Sequence, residues 1–174
     1  RGDAKEALSL LNTGITVAGQ AGALRVLADM QVMKSRLLLA VNDLEGAEAA
    51  AESAAIASQE GGETWQVPRR ILLLAKIHYK RGEFRKADEV YDQAETFIDA
   101  LVGKASTVLD KTALIRASDE IYTKHFALLA NHIGSTEKAF SVVEQVRGRV
   151  SRDMLMAGSR AGSKDAQQAE RKIS

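Results

Sequence analysis

The sequence predicts an all-α chain built from stacked helical hairpins, and three observations carry that prediction. The first is an internal repeat. Ala7, Ala47 and Ala87 fall 40 residues apart, and Ala139 opens a fourth copy 52 residues after Ala87. Each alanine follows a short polar corner: Arg1-Gly2-Asp3, Val41-Asn42-Asp43-Leu44, Arg81-Gly82-Glu83-Phe84 and His132-Ile133-Gly134-Ser135. Each is followed four and seven residues on by another small or apolar residue, as at Ala51 and Ala54 or Tyr91 and Ala94. A period of this length belongs to hairpins that bury one another's apolar faces. The second observation is composition: alanine is abundant, and Pro68 is the one proline in 174 residues. Alanine is the best helix former and proline the worst. The third is that period-2 runs of β-branched and aromatic residues are missing.

The elements follow in order. A first helix runs from about Ala4 to Ala18, with Ala7, Leu8, Leu11 and Ile15 on one face. Gly19 and Gly22 bracket a break, and a second helix runs from about Ala23 to Val41. Asp43 can cap a third helix, Leu44 to Ser58, whose alanines allow close packing. After the loop Glu60-Gly61-Gly62, Thr64 serves as N-cap for a helix ending near Lys80, with Pro68 in or near its first turn. Phe84 to Val102 is its partner, and Gly103 breaks the pattern. Thr107 to Ile133 then reads as one helix of roughly seven turns. Ser135 can cap a helix that reaches about Met156. Residues 1–156 thus form the repeat array, with corners near 42, 82 and 134. Residues 157–174 form a linker and the start of another helix. Starting inside a repeat and stopping without a helix terminator, the chain reads as a fragment of a longer protein.

Charge and composition narrow the function classes. A net charge of +1 gives no bulk attraction to nucleic acid or to an anionic membrane. Apolar runs such as Ile71 to Ala75 are too short to span a bilayer. Without cysteine there is no disulfide, no cysteine-ligated zinc and no thiol nucleophile, which fits a reducing, cytoplasmic compartment.

The candidate chemistry is thin. Ser135-Thr136-Glu137-Lys138 matches Ser-x-x-Lys, but its partner motifs are missing and helix capping explains the serine. Gly103-Lys104-Ala105-Ser106 lacks the earlier glycine and the strand of a phosphate loop. His125 and His132 are seven residues apart, wider than helical zinc pairs, so His78 reads as half-buried and the other two as surface residues. Trp65 reads as a staple against the next hairpin, with an exposed binding anchor as the alternative. Arg147, Arg149 and Arg152 make a basic end without interleaved aromatics, which reads as a solvated face or a domain contact. No catalytic constellation, metal set or cofactor site emerges, so an enzyme is disfavoured.

The third hairpin resembles a tetratricopeptide repeat. Ile71, Leu74-Ala75 and His78 stand in its first helix, and Ala87, Tyr91 and Ala94 in its second. Phe126-Ala127, Ala130, Ala139, Val143 and Val146 repeat the scheme in the fourth hairpin, and Ser35, Leu38, Ala47, Ala51 and Ala54 in the second. The stretch from Lys138 to Leu155 looks like the last repeat helix before a CHAT domain, a caspase-like protease module found mostly in bacteria. That family's catalytic His and Cys lie in the protease module, so none carries over. The tetratricopeptide resemblance implies a right-handed superhelix whose first helices line a concave groove. By that carry-over, Asp29, Val32, Arg36 and Leu39 face the groove from the second hairpin. Arg69, Leu72, Lys76 and Tyr79 do so from the third, and Ile121, Lys124, Leu128 and Asn131 from the fourth. The expected function is therefore protein–protein interaction: an acidic peptide or chain terminus bound in the groove, and a downstream module of the same polypeptide contacted by Arg147, Arg149 and Arg152. The alternative is a ligand-sensing helical repeat of a signalling or transcription-regulatory protein.

Overall fold

In the computed structural model, residues 2–107, 114, 118–145 and 147–148 are described, and no strand occurs among them. The helices are α1 (Gly2–Gln20), α2 (Leu24–Ala40), α3 (Leu44–Glu60), α4 (Val67–Arg81), α5 (Phe84–Lys104), α6 (Asp119–Leu128) and α7 (136–145). A 3-10 turn, Thr64–Gln66, leads into α4, and a π-helical turn, Leu129–Ile133, closes α6. From α1 to α6 each helix described packs on the next one, and α2 also touches α4.

The corners explain the repeat. Gly22, Asn42, Gly62 and Gly82 all take positive φ, 63°, 67°, 74° and 76°, and they stand 20 residues apart. At each, the next residue's N–H reaches the carbonyl five back: Ala23 to Ala18, Asp43 to Leu38, Glu63 to Ser58 and Glu83 to His78, all at 2.9 Å. These are Schellman closures, which need a left-handed residue after the helix. One helix and its corner therefore occupy 20 residues, and the 40-residue period is two of them. Asp43 caps α3 by accepting from the Gly46 N–H at 2.9 Å. Pro68 sits in the first turn of α4, where its missing N–H costs nothing.

Small residues set the close spacing in the first half. Ala47, Ala50, Ala51, Ala54 and Ala57 are buried along α3, and the buried Ser35 hydroxyl donates across to the Ala47 carbonyl at 2.8 Å. Leu38, Leu73 and Ile77 complete that core. Larger side chains fill the second half, where Leu72, Tyr91, Ile98, Ile121, Tyr122, Leu128 and Leu129 pack around Ala75, Ala87 and Ala94. Leu74 packs against both clusters, so the cores are continuous.

Three expectations are corrected. Thr107 to Ile133 is not one straight helix: the chain turns at Ser118, whose hydroxyl donates back to the Leu114 carbonyl at 2.7 Å. Gly103 does not end α5, which continues through Lys104. In the fourth hairpin the buried face is Ile121, Tyr122, His125, Leu128 and Leu129, whereas Phe126 and Ala130 are exposed. The π turn and the Ser118 turn rotate that face relative to the repeat scheme. Arg149, Arg152 and the 157–174 segment lie outside the described residues. No helix among the described residues is long and apolar enough to cross a membrane.

Candidate functional site

The residues expected on the groove separate into two depressions and the core. Lys76, Tyr79, Lys124 and Asn131 converge on one cavity of about 260 Å³, completed by Tyr91, Ala127 and Leu128. Arg36 and Arg69 line a second, of about 380 Å³, with Asp29, Val32, Met33 and Leu73. Leu72 is corrected: at 4% exposure it belongs to the core between α4 and α5. Ile121, 2% exposed, also faces the core, and Leu128, 1% exposed, forms the cavity floor.

Local structure puts α4 and the end of α6 side by side. The Tyr79 hydroxyl and His132 Nε2 share a hydrogen bond of 2.7 Å. Phe84 stacks on His132 at 4.3 Å, and Tyr79 meets both rings edge-on. The π turn widens the helix by one residue and so presents Asn131 and His132 towards α4. Lys76 Nζ donates to Glu120 at 3.0 Å. That hydrogen bond, reinforced by the charges of Lys76, Lys124 and Arg69, holds the Glu120 carboxyl below its usual range. Tyr91 lies at the back, its phenol pushed up to about 12 by burial and by the charge of Glu120, so it is a neutral donor. The cavity thus has an apolar floor with two lysines, an amide and a phenol at its rim, and Glu120, 48% exposed and outside the lining, is the carboxylate that holds Lys76.

Sequence reasoning missed two buried polar hubs. Arg70, not Arg69, is buried: its Nε donates to the Ser58 hydroxyl at 2.7 Å and its Nη2 to Asp29 at 2.8 Å, with Glu63 at 3.9 Å. His125, read as a surface residue, is fully buried. Its Nδ1 meets Glu95 at 2.6 Å, its Nε2 meets Asp88 at 2.7 Å, and its ring stacks on Tyr91. Lys138 donates to Asp88 and Asp92 at 2.6 and 2.7 Å. The available signal was Asp88, Asp92 and Glu95 at i, i+4 and i+7, a row of acids beside the core positions Tyr91 and Ala94. His78 is buried rather than half-buried and binds Glu83 at 2.8 Å, which holds the Glu83 carboxyl low.

Asp88, Asp92 and His125 are spaced to hold a metal ion. The Lys138 ammonium sits against both aspartates, however, so a side-chain cation already serves them. Trp65 is 54% exposed and edges a narrow crevice with Pro68, Ile98 and Leu101. Arg147 is exposed, 4.0 Å from Glu144. No family model matches this chain, and no curated protein or solved structure matches it either.

Proposed function

We propose that this chain is a tetratricopeptide-like interaction array, coiled as a right-handed superhelix, whose groove binds an acidic segment of a partner protein. The observation that carries the reading is the meeting of Lys76, Tyr79, Lys124 and Asn131 around one small cavity with an apolar floor. Ammonium and amide groups recognise carboxylates, and the aromatic rim adds amphipathic contact area. An incoming carboxylate exchanges with Glu120 for Lys76. Arg36 and Arg69 extend the cationic track along α2 and α4. The role is non-enzymatic, in the cytoplasm, and the array regulates or supplies with substrate a CHAT-like module of the same polypeptide, for which the basic sequence around Arg147, Arg149 and Arg152 is the proposed contact.

A peptide-library selection followed by titration tests this. Acidic peptides should dominate. Lys76→Glu and Lys124→Glu should each weaken the best binder about tenfold or more, the loss expected for a charge-assisted contact. Binding should also weaken between 0.1 M and 1 M salt as the Debye length falls from about 10 Å to about 3 Å. Unchanged affinity in both charge reversals rejects the groove.

A further inference from the structure

We propose that His125 is a proton-operated latch: its imidazolium fastens α6, and with it one wall of the groove cavity, to the carboxylates of α5. The latch stands on geometry alone; only its consequence for peptide binding rests on the groove reading.

His125 has no exposed surface, and each ring nitrogen faces a carboxylate of α5. A ring that donates from both nitrogens is an imidazolium, because neutral histidine has one donor and one acceptor. Remove the proton, and one nitrogen points a lone pair at a carboxylate oxygen less than 3 Å away, on the buried Glu95 or on Asp88, which is 19% exposed. That contact turns repulsive, most strongly at the nearly dry Glu95, and the ring must move. The groups facing His125 are Asp88, Asp92 and Glu95 of α5, Tyr91 of α5 by stacking, and Lys138 of α7, which bridges Asp88 and Asp92. Three carboxylates therefore face two cations, and deprotonation leaves them one.

The consequence reaches the cavity by two short routes. Tyr91 stacks on the His125 ring and also lines the cavity. Lys124 precedes His125, and Ala127 and Leu128 follow it on α6, so three cavity residues ride on the latched segment and a fourth, Asn131, stands in the π turn that closes it. That segment is short, ten helical residues between the Ser118 turn and the π turn.

The electrostatics agree in sign. Burial pulls the His125 pKa down, but the hydrogen bonds to Glu95 and Asp88 outweigh it and raise the ring above its ordinary 6.5. A group raised on folding contributes fully below its unfolded value and loses that contribution as pH climbs through its folded value. The latch is closed in mild acid and opens on the alkaline side. Asp88, lowered despite its burial by Lys138 and His125, and Lys138, raised despite its burial by Asp88 and Asp92, stay charged across that range. The proton that moves is the one on His125.

The test is a histidine-labelled NMR titration of the full chain from pH 5 to 10, with His125 assigned by comparison with His125→Gln. The expected result is a doubly protonated His125 ring at pH 6.5, a midpoint above 6.5, and hydrogen-exchange protection of α6 that drops across that midpoint after correction for intrinsic rates. Glu95→Gln should lower the midpoint by about one pH unit or more. A singly protonated ring at pH 6.5, or α6 protection that ignores the midpoint, overturns the proposal. Should Glu95→Gln not fold, the wild-type titration decides alone. In parallel, a fluorescein-labelled Asp/Glu-rich peptide is titrated at pH 6 and 9. Loss of affinity at pH 9 joins latch to groove. No binding at either pH, with the NMR result intact, rejects the groove reading and leaves the latch standing. Affinity equal at both pH values breaks the coupling to the cavity.

Discussion

The first half of the array and the second are fastened by different buried cations. Arg70 ties α4 to Asp29 of α2, Ser58 of α3 and Glu63 of the loop between α3 and α4. His125 ties α6 to Asp88 and Glu95 of α5. Arginine keeps its charge at every working pH, whereas histidine titrates near neutrality. Their partners differ as well. Asp29 keeps 61% of its side-chain surface in water, but Glu95 keeps 8%. One hub is permanent and its nearest carboxylate is hydrated, while the other is conditional and one of its two close carboxylates, Glu95, is almost dry.

The largest effect should come from emptying the less hydrated hub. His125→Phe keeps an aromatic ring to stack on Tyr91, slightly larger than imidazole, but leaves Glu95 and Asp88 without their donor. Removing one member of a buried ionic group costs roughly 3–5 kcal/mol. Arg70→Met should cost less, about 1–3 kcal/mol, because Asp29 rehydrates and chiefly the Ser58 hydroxyl loses a partner. Denaturant midpoints read both. If Arg70→Met is the more damaging, the contrast drawn from exposure of the partners is wrong.

The hubs also mark how far the sequence could be read. The corners were legible because a left-handed residue after a helix must be glycine or asparagine, and Asn42, Gly82 and Gly134 announce themselves. Alanines at Ala75, Ala87 and Ala94 were legible because close helix contact admits little else, and all three are buried. Lys76, Tyr79, Lys124 and Asn131 were placed on one face by the tetratricopeptide resemblance, and all four line one cavity. His125 was not legible, because its environment is made by carboxylates 30 and 37 residues upstream. Leu72 was misplaced because groove and core positions on α4 are one helical step apart. The rotation of the fourth hairpin goes with a turn at Ser118 and a π turn, neither of which a hydrophobic period encodes.

A smaller effect separates the hubs by pH. In the parent, stability should fall from pH 6 towards pH 9 as His125 sheds its proton. Arg70→Met should keep that slope, and His125→Phe should flatten it. On the acid side both variants should lose stability, since Glu83 and Glu120, held below their ordinary values by His78 and Lys76, contribute above those values and stop contributing as pH falls through the folded ones. Urea midpoints at pH 4, 6 and 9 check this. A parent whose midpoint is higher at pH 9 than at pH 6 has no histidine-held second half.

The smallest effect lies in the corners of the first half, where Asn42 is the one non-glycine residue with positive φ among the described residues. Its three counterparts, Gly22, Gly62 and Gly82, carry no Cβ against the carbonyl that penalises the left-handed region. Asparagine bears part of that penalty, although it tolerates the conformation better than most side chains. Asn42→Gly removes the penalty but gives the unfolded chain more freedom, so the net gain should be a few tenths of a kcal/mol, about 0.5 at most. Gly82→Ala is the matching reversal. An added Cβ there meets nothing within 4 Å, so its cost of about 1 kcal/mol is backbone conformation alone. Midpoint shifts of opposite sign at constant denaturant slope support four equivalent corners. Loss of stability in Asn42→Gly means that the asparagine side chain adds a contact the glycine corners lack, and the 20-residue step is then kept by two kinds of corner rather than one.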